Sequence, residues 1–333
     1  MKTIQDVSYS VLDLSPVQEG KTISDAFKNS LDLAQHTERW GFKRFWMAEH
    51  HSMDGIGSSA TAVILGYIAQ GTKSIRIGSG GIMLPNHPPL IIAEQFGTLE
   101  TLYPGRVDLG LGRAPGTDQA TMRAIRRGHL NQDNFPEQVQ ELLHFLKPVE
   151  QGQLVKAVPG AGTNIPVWLL GSSLFSAQLA ASMGLPFAFA GHFAPTQMLE
   201  AIRLYKMKFT PSEYLQKPHV MVGVQMVAAD TDERAKYLAT SMQQQFINLT
   251  KNKPLKLQPP IEKPERVWSP MEWEMAQERL EISIVGSPER VKKNLQYLID
   301  QTGADEVIIT SHIYDHQERL RSYEIAAQVT GLI

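Results

Sequence analysis

The sequence predicts a (β/α)8 barrel, an α/β fold of the TIM type, with an insertion before its last strand. Three observations predict it. Eight short apolar runs alternate with helical patterns, polar and glycine residues collect directly after those runs, and 333 residues suffice for a barrel plus insertions. With 42% hydrophobic and only 20% charged residues, the chain can bury a core of that size. A doubly wound open sheet is the alternative, but no Gly-x-Gly-x-x-Gly follows the first strand to favour it. The barrel is expected to be one domain over 1–333, its insertion at about 250–286.

Residues 7–13 alternate like a strand, and Pro16 and Gly20 mark the loop that follows. From Ser24, taken as an N-cap, Phe27, Leu31, Ala34, Thr37 and Trp40 recur at helical spacing until Gly41. The second strand is Phe45-Trp46-Met47-Ala48-Glu49-His50-His51, an apolar run ending in a carboxylate and two imidazoles. A small-residue helix over 60–68, a strand over 75–81 and a helix over 88–103 with proline near its start come next. The fourth strand covers 106–112. A helical region begins near Asp118, breaks near Gly128 and restarts over 135–145.

Residues 148–164, rich in proline and glycine, read as a surface excursion. Strands over 165–171, 186–190 and 220–227 then alternate with helices over 173–183, 196–207 and 232–249. Between 250 and 286 the pattern fails, which marks the insertion and a candidate lid. Ser287-Pro288-Glu289 restarts a helix to about 300, the eighth strand is 306–311, and a last helix reaches about 329.

Composition excludes several classes. No cysteine is present, so disulfides, thiolate metal centres and cysteine nucleophiles are absent. A net charge of -2 without a long basic run gives no sign of a nucleic-acid partner. No apolar run reaches the roughly 18 residues of a membrane span, and no leader pattern opens the chain, so a cytoplasmic protein is expected.

In a barrel of this kind chemistry sits at the C-terminal ends of the strands. Side-chain alternation puts Glu49 and His51 on one side and His50 on the other; the plain alternative is an imidazole that caps the loop, oriented by the carboxylate. Ser79-Gly80-Gly81 lies within a strand, where paired glycines serve either close approach of a backbone or flat ligand, or a bulge. Gly171-Ser172-Ser173-Leu174-Phe175-Ser176 opens a helix with hydroxyls and free N–H groups, and Arg113 ends the neighbouring strand. Together these suit a phosphate; singly, each reads as an N-cap serine or a surface arginine. His50, His51, His192 and His312 would converge at the mouth, but adjacent histidines do not give the His-x-His of metal-dependent barrels, so no metal is expected.

Trp46-Met47-Ala48-Glu49-His50-His51, Ile77-Gly78-Ser79-Gly80-Gly81-Ile82-Met83-Leu84-Pro85, residues 105–113 from Gly105 to Arg113, and Gly303-Ala304-Asp305-Glu306-Val307 together resemble the bacterial-luciferase-like flavin monooxygenases. The resemblance covers nearly the whole chain in order. It implies a barrel that binds reduced FMN (FMNH2), which meets dioxygen to give a flavin C4a-hydroperoxide that oxygenates a small organic substrate. It implies a separate flavin reductase and a homodimer. His50 falls at the family's catalytic acid/base histidine, and Gly80-Gly81 at a non-prolyl cis peptide beneath the flavin ring. Arg113, Ser172, Ser173 and Ser176 fall at the phosphate, with Glu49 and Ser79 among the cofactor-site residues. Luciferases proper carry a cysteine where this chain has Gly112, which speaks against light emission. Two alternatives stand beside this reading: an F420-dependent hydride-transfer enzyme, and a flavin-binding protein without turnover.

Overall fold

Strand β1 (Ser8–Asp13) pairs in parallel with β2 (Arg44–Met47) and with the last strand, and that second pairing is what closes the sheet. The computed structural model describes residues 2–126, 134–280 and 283–333. After β2 come β3 (Arg76–Met83), β4 (Val107–Gly112), β5 (Val167–Gly171), β6 (Phe187–Phe189), β7 (Val220–Ala228), β8 (Ile284–Gly286) and β9 (Glu306–Thr310). Eight of them, all but β8, form a closed parallel ring in which β6 pairs with β7, β7 with β9 and β9 with β1. The predicted (β/α)8 barrel is therefore the observed fold.

The helices are α1 (Ile23–Arg39), α2 (Thr61–Gln70), α3 (Pro89–Leu102), α4 (Gln119–Arg126), α5 (Phe135–Leu146), α6 (Leu174–Met183), α7 (Met198–Lys208), α8 (Asp232–Thr250), α9 (Pro270–Leu280), α10 (Pro288–Thr302) and α11 (His316–Thr330). Local chemistry sets their ends. Thr22, not Ser24, caps α1, through a capping box with Asp25 in which each side chain bonds the other's backbone. Helices α6, α10 and α11 stop at Gly184, Gly303 and Gly331, each in the left-handed conformation that glycine adopts without steric cost. The break expected near Gly128 lies outside the described residues.

Alternation along the strands divides the apolar residues between two cores. Val11, Phe45, Ile77, Val107, Leu109, Phe187, Val222 and Val307 point outward and pack beneath the helices. Leu12, Trp46, Trp168, Ala188, Met221 and Ile308 point inward and fill the barrel. Below them, at the N-terminal ends of the strands, lies a buried ionic plug. Arg44 reaches Asp108 at 2.6 Å and Glu306 at 2.9 Å, and Arg76 reaches Asp108 at 2.7 Å. The guanidinium of Arg44 also lies 4.9 Å from the Trp168 ring. That end of the barrel is sealed, which leaves the other end for ligands.

The interval 250–286 is more ordered than its sequence suggests. Helix α9 lies within it, and Ile247, Trp268 and Ala276 form a small core of their own. Strand β8 pairs with the end of β7 outside the ring. Three residues ending in glycine carry too little pattern to be recognised as a strand. Further upstream, buried Leu257 exchanges backbone hydrogen bonds of 2.8 Å with Val17 and Glu19, so the insertion is stitched to the loop after β1.

Candidate active site

Because inward positions alternate, continuing each strand past its C-terminal end identifies the residues that ring the mouth. They are Leu14, His50, Gly80, Gly112, Ser172, His192, Gln225 and Thr310, with His312 two residues beyond the last.

The β2 end is organised by Glu49, whose buried carboxylate accepts four hydrogen bonds. One oxygen takes His51 Nε2 at 2.7 Å, His87 Nε2 at 2.9 Å and Asn86 Nδ2 at 3.3 Å; the other takes the Met83 amide at 3.0 Å. Burial opposes its ionisation, but the bonds from His87, His51 and Met83 outweigh burial and hold the carboxyl below its usual range. Around this hub, Asn86 also donates to the Pro115 carbonyl at 3.0 Å and the His51 amide to Gly116 at 3.1 Å. Glu49 thus ties together the loops after β2, β3 and β4. His51 is committed to it, and His50 points the other way, as alternation requires.

His50 is half-buried, and its Nδ1 has no hydrogen-bond partner among the described residues. Burial lowers its pKa, against a backbone hydrogen bond to Gly116 and the charge of Glu49, which raise it. His192 shares the condition: its Nδ1 is buried without a partner, and burial, with His50 nearby, pushes its pKa down to about 4. His312 is also pushed down to about 4, by burial first and then by Arg319 and the other two imidazoles. These three rings are neutral at neutral pH and face one another across the mouth. Among the described residues no cluster of His, Asp or Glu is disposed to hold a metal ion.

On the β3 side, the Gly80–Gly81 peptide is cis and the β3–β4 register shifts there, so the glycine pair sits at a bulge. Gly81 is buried; a Cβ on it would lie 2.8 Å from the Gly110 carbonyl oxygen. Gly80 stays partly open at the mouth, its floor made by Leu12 and Trp46, whose nearest atoms would lie 2.7 and 3.2 Å from an added Cβ. Ser79 is fully engaged: its hydroxyl donates to the Gly110 carbonyl at 2.8 Å and accepts from the Gly110 amide at 3.0 Å.

At the β4 and β5 ends, the Arg113 guanidinium lies 4.3 Å above the ring of Phe175, in the first turn of α6. Ser173 is the N-cap of that helix yet makes no side-chain capping bond, so the first-turn N–H groups are open to another acceptor. Ser172 and Ser173 are partly accessible, whereas Ser176 is buried over Gly171. The structure brings Arg113 and the serine-opened helix together, as the sequence suggests. Sequence reasoning missed Asn86 and His87, the partners of Glu49, and Gln225. The signal for Gln225 was an amide within an otherwise apolar strand.

These features fit a flavin. A glycine open above an aromatic floor, an uncapped helix N-terminus beside a guanidinium, and imidazole nitrogens lacking partners fit a flat ring with a phosphate tail.

A closed parallel barrel whose polar side chains gather at the C-terminal ends of its strands has the layout of a (β/α)8 enzyme. More narrowly, the chain belongs to the luciferase-like monooxygenases, whose family model matches residues 8–306. It is 51% identical over 329 residues to a luciferase-like monooxygenase of Escherichia coli (strain K12), covering 98% of each chain. The crystal structure of apo-MsnO8 superposes with a TM-score of 0.88 at 31% identity over 99% of both chains. Two more distant structures share the fold. One is the oxygenating constituent of 3,6-diketocamphane monooxygenase of Pseudomonas putida in complex with FMN, at a TM-score of 0.72, 19% identity and 98% of both chains. The other is an F420-dependent secondary alcohol dehydrogenase, at 0.67 and 16%, over 100% of this chain and 99% of that one.

Proposed function

We propose that this chain is a two-component monooxygenase that binds reduced FMN and inserts one atom of dioxygen into a small organic substrate. The observation that carries the proposal is the pairing, in one mouth, of Gly80 open over Leu12 and Trp46 with Arg113 beside the uncapped start of α6. Bound there, reduced FMN would supply the activation of dioxygen.

The chain's own residues then divide the work. Gly80, its side-chain position taken up by Leu12 and Trp46 and its backbone partly accessible at the mouth, presents its open backbone face to the ring, and Arg113, Ser172, Ser173 and the first turn of α6 hold the phosphate. Ser176 shapes that turn from beneath. Gly81, Ser79 and Glu49 act as positioning residues, the first two by fixing β3 on β4 and the last by bracing three loops. His50, kept neutral, accepts or donates a proton at its ring nitrogens beside the reacting centre. The inner core and the insertion at Leu257 exclude water. Reduced flavin comes from a separate reductase, since no nicotinamide fingerprint follows the first strand. The exposed apolar side chains Val63 and Tyr67 on α2 and Ile91 and Leu102 on α3 form the contact of a homodimer. The whole of 1–333 serves this one site, in the cytoplasm.

Equilibrium binding of FMN, riboflavin and F420, followed by oxygen uptake and 18O incorporation with photoreduced FMN, tests the proposal. FMN should bind better than riboflavin, and Arg113→Ala should remove most of that preference. His50→Ala should lower turnover while FMN affinity is kept. Binding of F420 with hydride transfer and no oxygen uptake would replace this reading by the dehydrogenase one.

A further inference from the structure

The mouth has two chemically different halves. Gly80, Gly112, Ser172, Arg113 and the start of α6 occupy the β3–β5 side. The β6–β9 side carries His192, Gln225, Thr310 and His312, which the flavin reading leaves without a task. Gln225 and Thr310 are register partners on adjacent strands and face inward together. His192 Nδ1 occupies the space over Gly223, two residues before Gln225 on the same face of β7. Thr310 Oγ1 and His312 Nε2 lie 3.5 Å apart. Gln225 is only 5% exposed, and its Nε2, like His192 Nδ1, has no hydrogen-bond partner among the described residues. A buried amide N–H without a partner is costly, so a second group is expected to satisfy it.

We infer that Gln225 and His192 form a subsite for an uncharged hydrogen-bond acceptor on the substrate, a ketone, ester or amide oxygen, rather than for a carboxylate. The inference rests on the flavin-monooxygenase reading and names its substrate class. Charge decides between the two. The guanidinium facing this cluster, Arg319, is closed by an ion pair with Asp13, and Ser30 donates to the same carboxylate. The imidazoles are neutral. A carboxylate brought here would lose its hydration with no free opposing charge among the described residues of the β6–β9 side, whereas a carbonyl oxygen needs only the amide donor that Gln225 holds ready.

The test uses 2-octanone and octanoate, matched in chain length, titrated calorimetrically into FMN-loaded and flavin-free protein. The wild type should bind 2-octanone at least about tenfold more tightly than octanoate, and Gln225→Leu should weaken the ketone about tenfold. FMN affinity and melting temperature should hold in the variant. In protein labelled with [15N]histidine, the His192 ring signals should move with the ketone and stay put with octanoate. Equal or tighter octanoate binding, no binding of the ketone, or unchanged ketone binding in Gln225→Leu would overturn the inference. Should the variant not fold, the wild-type comparison of the two ligands decides. Failure of FMN to bind would refute the flavin reading separately, and the titration of flavin-free protein would still judge the subsite.

Discussion

Acid should unfold this barrel through its mouth before its carboxylates titrate. His192 and His312 are held at about 4 in the folded chain, against 6.5 for an unperturbed imidazole. Between those values the unfolded chain binds protons that the folded chain refuses, so stability falls as pH drops from 6.5 to 4 and is level above that window. At 1.36 kcal/mol per unit, the full difference is about 3 kcal/mol for each ring, of which about 2 kcal/mol is already lost at pH 5. Two rings give about 4 kcal/mol there, a large fraction of an ordinary folding free energy. His50 and His316 are lowered too and act in the same direction. The carboxylates do not interfere: Glu306, held at about 2, and Asp13, also depressed, contribute their loss only at lower pH. Equilibrium urea unfolding at pH 7.5 and 5.0 measures the fall, and His192→Gln should remove about 2 kcal/mol of it whatever the variant's absolute stability. An equal fall in variant and wild type would refute the assignment of the effect to this ring.

Two further changes probe the frame around the site. Gly81→Ala should cost about 1–3 kcal/mol, because the new methyl meets only backbone, the Gly110 carbonyl at 2.8 Å and the Gly112 amide at 3.3 Å, and β3 must part from β4; differential scanning calorimetry should show a lowered Tm, and an unchanged one would contradict the contact. Arg44→Met should cost about 3–5 kcal/mol by leaving Asp108 and Glu306 buried without their main counter-charge. Adding Glu306→Gln should restore part of that stability in urea unfolding, and no recovery would mean the guanidinium acts through packing on Trp168 instead.

The barrel was legible because each of its eight strands is an apolar run long enough to register, and because punctuation such as Ser287-Pro288 and Gly303 falls where helices start and stop. Strand β8 was not, being three residues whose pairing depends on the position of β7. The same distinction runs through the site. The opposite facing of His50 and His51 followed from strand alternation alone. The hub at Glu49 did not, since Asn86 and His87 are brought to it by the turn after β3, across more than a whole helix of intervening chain. The ionic plug of Arg44, Asp108 and Glu306 was invisible for the same reason: its members are contributed by three different strands.

That plug also bears on the mouth. A charged layer sealed at one end of the barrel fixes the strands in register, and Trp46 links that layer to the site, donating to Asp108 at 3.2 Å from its indole while its other edge supports Gly80. Rotation or sliding of β2 would disturb the ion pairs below and the glycine floor above together. A mouth lined by neutral imidazoles and an unpartnered amide requires such a frame, because each of these groups would turn toward a protein partner if the strands could shift to offer one. Substitutions at Arg44 should therefore change ligand affinity at Gln225 as well as stability.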